Sequence, residues 1–426
     1  MRFLTGLLLE TPALGYGSHG TTVYKGTFEG REVAIKRLLL DFYDVADHEV
    51  KILQESDDHP NVVRYYFKEK CDEFMYIALE LCPASLYDVV EKTRSPELVA
   101  LRMTLKSSQV LYQIMLGICH LHFLKIVHRD IKPQNILIGL PKSKKHPHSR
   151  ILISDFGLGK RLADDQSSFH HTQATAGGTV GWRAPECLLA AAANGREGDP
   201  DPALRITRAV DIFAAGCVFY YFLTGGGHPF GDRFGREVNI VKGNLRLDGL
   251  DLFGDEGVLA KDLIRRMIAK DPRRRPDAIT VLLHPYFWTP TKRLSFLQDA
   301  SDRFEIEERD PPSGLLKQLE RGASKVVGPD WYRRIDRTLL DNLSKYRKYD
   351  GSTIRDLLRA LRNKKHHYQD LPPETKKALG ELPDGFLSYF TSRFPGLLLH
   401  VYYVVAERLR DESMFRSYFD PSEPVF

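Results

Sequence analysis

The chain holds 426 residues, which at a soft prior of about 150 residues per domain makes two or three domains, each long enough to bury its own core. Hydrophobic residues at 42% and charged residues at 27% exclude a mostly disordered chain and a membrane-embedded body. The net charge of +5 is too slight to demand a polyanionic partner, so a basic patch has to come from uneven placement.

Five cysteines, Cys71, Cys82, Cys119, Cys187 and Cys217, contain no C-x-x-C pair, which argues against a disulfide framework or a cysteine-rich zinc site and for a reducing compartment. Met1 to Leu9 carries no secretory signal. The longest apolar run, Ile212 to Leu223, is about half the roughly 20 residues a membrane crossing needs and reads as a buried helix, so no membrane contact is expected from this chain itself.

In chain order, Leu7-Leu8-Leu9, Thr21-Thr22-Val23-Tyr24 and Val33-Ala34-Ile35 predict three strands of a small antiparallel sheet. Between the first two lies Gly15-Tyr16-Gly17-Ser18-His19-Gly20, followed by Val23, a G-x-G-x-x-G-x-x-V loop whose glycines let the backbone approach phosphates closely. Glycine turns between strands are common, so the loop gains weight only from its setting in the chain. A dinucleotide loop needs a helix directly after it; here a strand comes next, which is the setting of a kinase glycine-rich loop. Lys36 then puts a cation on the third strand. Asp41 is expected to cap a helix running to about Glu55, which offers Glu49 as the partner of Lys36. Val62 to Tyr66 and Phe74 to Leu79 predict two more strands. From Ser108 the spacing turns helical, with Val110, Leu111, Ile114, Met115, Ile118, Leu121 and His122 on one face. Pro141 to Ser149 and Asn194 to Leu204 read as exposed loops, and no internal repeat is visible.

His128-Arg129-Asp130, Lys132 and Asn135 compose H-R-D-x-K-x-x-N, and Asp155-Phe156-Gly157 and Ala184-Pro185-Glu186 come after it in order. On this series the segment from about Leu4 to Trp288 resembles eukaryotic protein kinases. The resemblance implies a two-lobed fold, N-lobe 1–82 and C-lobe 83–288, that uses ATP or ADP with Mg2+. It implies Lys36 on the α and β phosphates, Glu49 holding Lys36, Asn135 and Asp155 on magnesium, and Asp130 accepting the hydroxyl proton. Lys132 fits the Ser/Thr-kinase pattern and would neutralise the transferring phosphoryl group. Gly15, Gly17, Gly20 and Val23 would cover the nucleotide. Glu80 and Cys82 would bind adenine through their backbone at the hinge, with Ala34 and Leu137 on either side of the ring. Asp211, and Arg275 paired with Glu186, would hold the large lobe together. Ser167, Ser168, Thr172 and Thr175 are phosphorylation candidates whose phosphate would pair with Arg129; ordinary loop hydroxyls are the equal alternative for any one of them. His146, His148, His170 and His171 lack matching ligand spacing and read as solvated.

The pattern resets after His284-Pro285-Tyr286-Phe287, which puts a boundary near Trp288 and leaves 289–426 as a separate module; Arg309-Asp310-Pro311-Pro312 breaks it again. From Trp331 to Lys377 there are 13 Lys and Arg against 6 Asp and Glu, an excess larger than that of the whole chain. Trp331, Tyr332, Tyr346, Tyr349 and Tyr368 are interleaved with that charge. Cations set the affinity for a phosphate backbone and aromatics offer stacking surfaces, which suits RNA. The alternatives are a solvated basic face, or a docking module that binds RNA or protein without cutting it.

One helix shifts the weight among these readings. Ser352 or Thr353 can cap it, and Ile354, Leu357, Leu358 and Leu361 mark its buried face, with Arg355, Arg359 and Arg362 expected away from that face. Asn363 and His367, four apart, share one side beside Arg362. A histidine can give up a proton near neutral pH, Arg and Asn can hold a phosphate, and Tyr349 can act as base or orient a 2′-hydroxyl.

Lys345-Tyr346-Arg347-Lys348-Tyr349 and Arg362-Asn363-Lys364-Lys365-His366-His367-Tyr368 resemble the ribonuclease module of the inositol-requiring kinase/endoribonuclease family, the stress sensors of the unfolded protein response. Ribonuclease L shares that architecture as a weaker match, since its kinase part is degenerate and ankyrin repeats precede it. Asp330-Trp331 and Asp384-Gly385-Phe386 through Arg393-Phe394-Pro395 extend the resemblance over essentially the whole chain. It implies an α+β chain, a two-lobed kinase followed by an all-α ribonuclease module, acting on RNA stem-loops as a homodimer or higher homo-oligomer. Tyr349 would be the base, Arg362 and Asn363 the phosphate-binding pair and His367 the general acid, with no cofactor for the ribonuclease. It also implies the cytosolic face of the endoplasmic reticulum membrane, with the lumenal sensor and membrane anchor of the family lying outside this chain.

Overall fold

The computed structural model describes residues 6–17, 20–71, 73–141, 148–162, 168, 178–193, 205–345 and 347–422. The chain divides into two compact units, Met1–Gly249 with Leu263–Leu282, and Leu250–Asp262 with Leu283–Phe426.

The first unit opens on a six-stranded antiparallel sheet: β1 (Leu7–Leu9), β2 (Gly15–Tyr16), β3 (Thr22–Phe28), β4 (Arg31–Leu39), β5 (Tyr65–Cys71) and β6 (Phe74–Glu80). Their order is β1-β3-β4-β6-β5, with β2 on β3. Glu29 and Gly30, both at positive φ, turn β3 into β4 in the two-residue manner whose twist suits a hairpin. Gly26 is glycine for a steric reason: a Cβ there would sit 2.2 Å from the carbonyl oxygen of Leu8 on the neighbouring strand. Period-2 alternation in β4 buries Val33 and Ile35 against Leu7, Tyr76 and Ala78. Leu38, Met75 and Ile77 pack with Ala46 and Val50 of the helix Tyr43–Ser56.

Two elements differ from the sequence expectation. Asp41 does not cap that helix: it lies inside a 3-10 turn, Leu40–Phe42, and the cap residue is Phe42, which offers no side-chain acceptor. The strand expected from Val62 begins at Tyr65 and runs to Cys71, because Val62 instead makes an isolated parallel bridge to Ile153.

The rest of the first unit is helical. The helix Ser107–Phe123 buries the face from Val110 to His122. The helix Ala209–Thr224 is buried from Val210 through Phe222, as its unbroken apolar run requires. Phe213, Phe219 and Phe222 are fully buried, each worth roughly 1.5–3 kcal/mol of transfer free energy. Most of the two polar insertions, 142–147 and 194–204, lies outside the described residues.

The second unit is made of helices and turns, including Pro290–Glu305, Gly314–Glu320, Arg337–Ser344, Ile354–His366, Asp384–Arg393 and Leu397–Arg408. Its one bridge among the described residues joins Arg309 and Pro312. Trp331 is fully buried, as are Phe296, Phe304, Phe386, Phe390 and Phe394.

Candidate functional site

In the first unit, β4 carries Lys36 to the point where its ammonium meets both oxygens of Glu49, at 2.8 and 2.7 Å, and Asp155 Oδ1 at 2.9 Å. Burial alone would lower the lysine's pKa, but the charges of Asp155 and Glu49 outweigh it and hold the group above the ordinary lysine range. Lys36 in turn holds the Asp155 carboxyl down at about 2.

Asp130 is gripped from all sides. Thr179 donates to Oδ1 from its backbone N–H at 2.9 Å and its hydroxyl at 2.8 Å. Lys132 and Asn135 donate to Oδ2 at 2.7 and 3.1 Å, and Lys132 also reaches Thr179 Oγ1 at 2.6 Å. The loop bearing Asp130 is pinned beneath: buried Asp211 accepts from the backbone N–H of His128 at 2.9 Å and of Arg129 at 2.8 Å. Arg129 and Asp155 both adopt left-handed backbone, at φ 69° and 65°, a conformation that costs a non-glycine residue roughly 1–2 kcal/mol. Arg275 forks onto both oxygens of Glu186 at 2.7 and 2.8 Å.

The donor set suits a nucleotide with a divalent cation. Asn135 spends its amide nitrogen on Asp130, which leaves its carbonyl oxygen as an acceptor, and the Asp155 carboxylate is half-exposed. One amide oxygen and one carboxylate, completed by phosphates, is the set Mg2+ favours. Gly17, Thr21, Lys36, Glu49, Asp130 and Asp155 line one cleft. Gly15 lies in β2 opposite Val23, and Gly20 takes φ +71°. Val23, Ala34 and Leu137 are each half-buried. At the expected hinge, burial pushes the Cys82 thiol up to about 12, and the Glu80 carboxylate pairs with Arg150. Ser168 is half-buried, and His148 is exposed; Ser18, His19, His146, Ser167, His170, His171, Thr172 and Thr175 lie outside the described residues.

In the second unit, Thr353 caps the helix Ile354–His366, accepting from Asp356 N. Its apolar face is buried as expected, but Arg355 is buried too, at 5% exposure, donating to the Glu305 carbonyl at 2.8 Å. A helix packed on two sides leaves no solvated face for it. Lys364 is also buried, donates to Asn342, and has its pKa lowered by desolvation. Trp331 and Tyr349 likewise leave the expected stacking surface: they are 0% and 6% exposed, Trp331 Nε1 donates to the Asp350 carbonyl, and Tyr332 donates its hydroxyl to the Tyr349 carbonyl. Rings so enclosed belong to the core. Tyr346 lies outside the described residues.

What the helix end does assemble is a polar chain. Asn363 donates Nδ2–H to the Tyr349 hydroxyl oxygen at 3.1 Å. Its Oδ1 accepts from Nε and Nη2 of Arg362 at 3.3 and 3.2 Å, and Arg362 Nη1 donates to Asp302 at 2.7 Å. Three of the five guanidinium N–H groups are engaged, which leaves two for a phosphate. His367 stands apart: its ring is 74% exposed and faces Asp370 at 3.6 Å, rather than meeting the Asn363 side chain. Thr179 and Asp302 escaped the sequence reading. Thr179 sits in a stretch of small residues that marks no role, and Asp302 lies 60 positions from the arginine it holds.

A protein kinase domain family matches residues 9–287, and a ribonuclease 2-5A family matches residues 293–419. The chain is 51% identical, over 98% of its length, to the sensor for unfolded proteins in the ER ire1 of Schizosaccharomyces pombe. It is 48% identical over 96% to the human serine/threonine-protein kinase/endoribonuclease IRE2, and 42% identical over 97% to IRE1a of Arabidopsis thaliana, also a serine/threonine-protein kinase/endoribonuclease. It spans 39%, 42% and 50% of the lengths of these three relatives.

Proposed function

This chain belongs to the protein kinase family and carries a ribonuclease 2-5A domain behind its kinase domain, and on that premise we propose that it joins two activities: a Ser/Thr kinase that phosphorylates copies of itself, and an endoribonuclease that cuts RNA stem-loops without a metal. The kinase half uses ATP and a divalent cation, which when bound would supply charge neutralisation for the phosphates. Lys36 grips the α and β phosphates, Asn135 and Asp155 would hold the cation, Asp130 takes the proton of the attacking hydroxyl, and Lys132 neutralises the transferring group.

The observation that carries the nuclease half is the hydrogen-bonded run from Asp302 through Arg362 and Asn363 to Tyr349. Tyr349 takes the proton of a ribose 2′-hydroxyl, whose oxygen forms a bond to the adjacent phosphorus. Arg362 and Asn363 hold the phosphoryl oxygens as charge develops. The bond from phosphorus to the 5′-oxygen breaks, and His367 protonates that oxygen. The products are a 2′,3′-cyclic phosphate and a 5′-hydroxyl. The active species is a homodimer or larger assembly, favoured by bound nucleotide. The name of the Schizosaccharomyces pombe relative, a sensor for unfolded proteins in the ER, supports a role in the response to unfolded proteins. The place we assign to this chain is the cytosolic face of the endoplasmic reticulum membrane.

The test is cleavage of a labelled stem-loop in excess EDTA, across protein concentration, with and without nucleotide. Cyclic-phosphate ends, a block by one 2′-deoxy substitution at the cut, and a more than linear rise with protein are expected. Cutting of the deoxy substrate, or 3′-hydroxyl ends, would sink the mechanism.

A further inference from the structure

In the first unit a cleft of about 840 Å³ opens between the helix Pro185–Ala193, the helix Arg236–Lys242 and the segment 265–274. Apolar side chains including Leu189, Ile240 and Leu245 line it. So do Arg265, Arg266, Lys270, Arg273 and Arg274, all five exposed. Two carboxylates share the lining, and both are committed: Asp271 pairs with Arg273 at 3.0 Å, and Glu186 is buried under the fork of Arg275. The cleft therefore carries a strong excess of positive charge in a chain whose net charge is +5. None of these cations enters the kinase or nuclease mechanism.

We infer that this cleft binds single-stranded RNA flanking the stem-loop that the chain cuts. The charge sets the class of partner. Of the five cations Arg273 is held by Asp271; the others, spread over a helix end and the turn after it, match a series of phosphates, whereas one phosphorylated side chain would occupy one or two of them. Four of the five are arginines, whose planar fork pairs with phosphate oxygens and whose faces stack on bases. The concave apolar lining suits unstacked bases lying inward with phosphates outward, and a flat bilayer surface could not enter it. Binding through phosphate contacts and stacking is sequence-tolerant and salt-dependent.

The inference rests on the proposed RNA cleavage, and the test keeps the two apart by measuring binding on a non-cleaving chain, His367→Ala. Anisotropy titrations compare a bare stem-loop with the same stem-loop bearing long single-stranded flanks, over a range of salt. The triple variant Arg265→Glu, Lys270→Glu, Arg274→Glu should lose about 10-fold or more affinity for the flanked RNA, and its slope of log affinity on log salt should flatten by about 2. Affinity for the bare stem-loop should stay within about twofold, as should autophosphorylation, which reports folding. Arg265→Lys with Arg274→Lys should keep the affinity. Unchanged affinity and slope for the flanked RNA, equal loss on both RNAs, or no advantage of the flanked RNA on the parent chain would each overturn the inference. Failure of the otherwise unaltered chain to cut the bare stem-loop would sink the cleavage reading instead, and would leave the binding result standing as measured.

Discussion

The single amide of Asn363 serves two neighbours at once, accepting from Arg362 and donating to Tyr349, so its orientation is fixed by what each side needs. His367, with its ring mostly in solvent and Asp370 beside it at 3.6 Å, is placed to meet a leaving group. His367→Ala should therefore slow RNA cleavage by about 10²–10⁴-fold while autophosphorylation stays within a fewfold of the parent. Equal loss of both activities would point to a folding role for the ring. In the kinase half, Asp130→Asn and Asp155→Ala should both stop phosphoryl transfer, but only the second should strongly weaken binding of magnesium-nucleotide. Calorimetry with and without magnesium checks this; parent-like binding by both variants would contradict the role given to Asp155. At this scale the sequence was most legible where the residues that meet belong to recognisable motifs, as with Lys36, Glu49 and Asp155, even though Asp155 reaches Lys36 across 119 positions. It was silent where a partner carries no motif of its own, as with Thr179 on Asp130 and Asp302 on Arg362.

The helix Ile354–His366 presents the end proposed for catalysis only if its other end is satisfied. Glu320 does that with both oxygens, accepting from the backbone N–H of Ile354 and of Arg355 at 2.9 Å each, in addition to the Thr353 cap. A carboxylate at the positive end of a helix is favourable there even though burial pushes its pKa up. Glu320→Ala strands two N–H groups and should cost about 1–3 kcal/mol of stability, read as a lower midpoint for the second unit in denaturant, with cleavage falling before kinase activity. An unchanged midpoint would show that water replaces the carboxylate without loss. The cap at Thr353 could be read from the sequence because it lies next to the helix it serves. Glu320 could not, since it reaches the helix from 34 residues away. The same limit explains Arg355 and Lys364: a 3.6-residue period locates one buried face, but only a neighbouring element reveals a second.

For the whole molecule, the two-part organisation came from motifs and from the pattern break, while the path of Leu250–Asp262 into the second unit could not be foreseen, because it depends on packing rather than on local pattern. Stability of the first unit should also carry a pH signature. His59 stacks on His120 with ring centres 4.6 Å apart, and burial first, then the charge of His120, lowers its pKa to about 4. The fold thus favours the neutral ring, and between pH 6.5 and about 4 the unfolded chain binds more protons than the folded one. The contribution is complete above pH 6.5 and is lost as pH falls toward 4. The melting midpoint should drop over that window, and His59→Gln should flatten the slope; an identical slope in the variant would assign it elsewhere.

Trp331 gives the proposed nuclease site an optical handle. Of the three tryptophans it alone lies in the stretch that leads into that site, fully buried, with its indole N–H on the Asp350 carbonyl and the Tyr349 ring edge-on at 6.2 Å. An indole so enclosed emits toward the blue, and any shift of Tyr349 as RNA docks changes its quenching. Subtracting the spectrum of Trp331→Phe from that of the parent isolates this emission from Trp182 and Trp288. The difference should respond to a non-cleavable 2′-deoxy stem-loop within the mixing time of a stopped-flow instrument, so that engagement of the tyrosine can be timed separately from bond breaking.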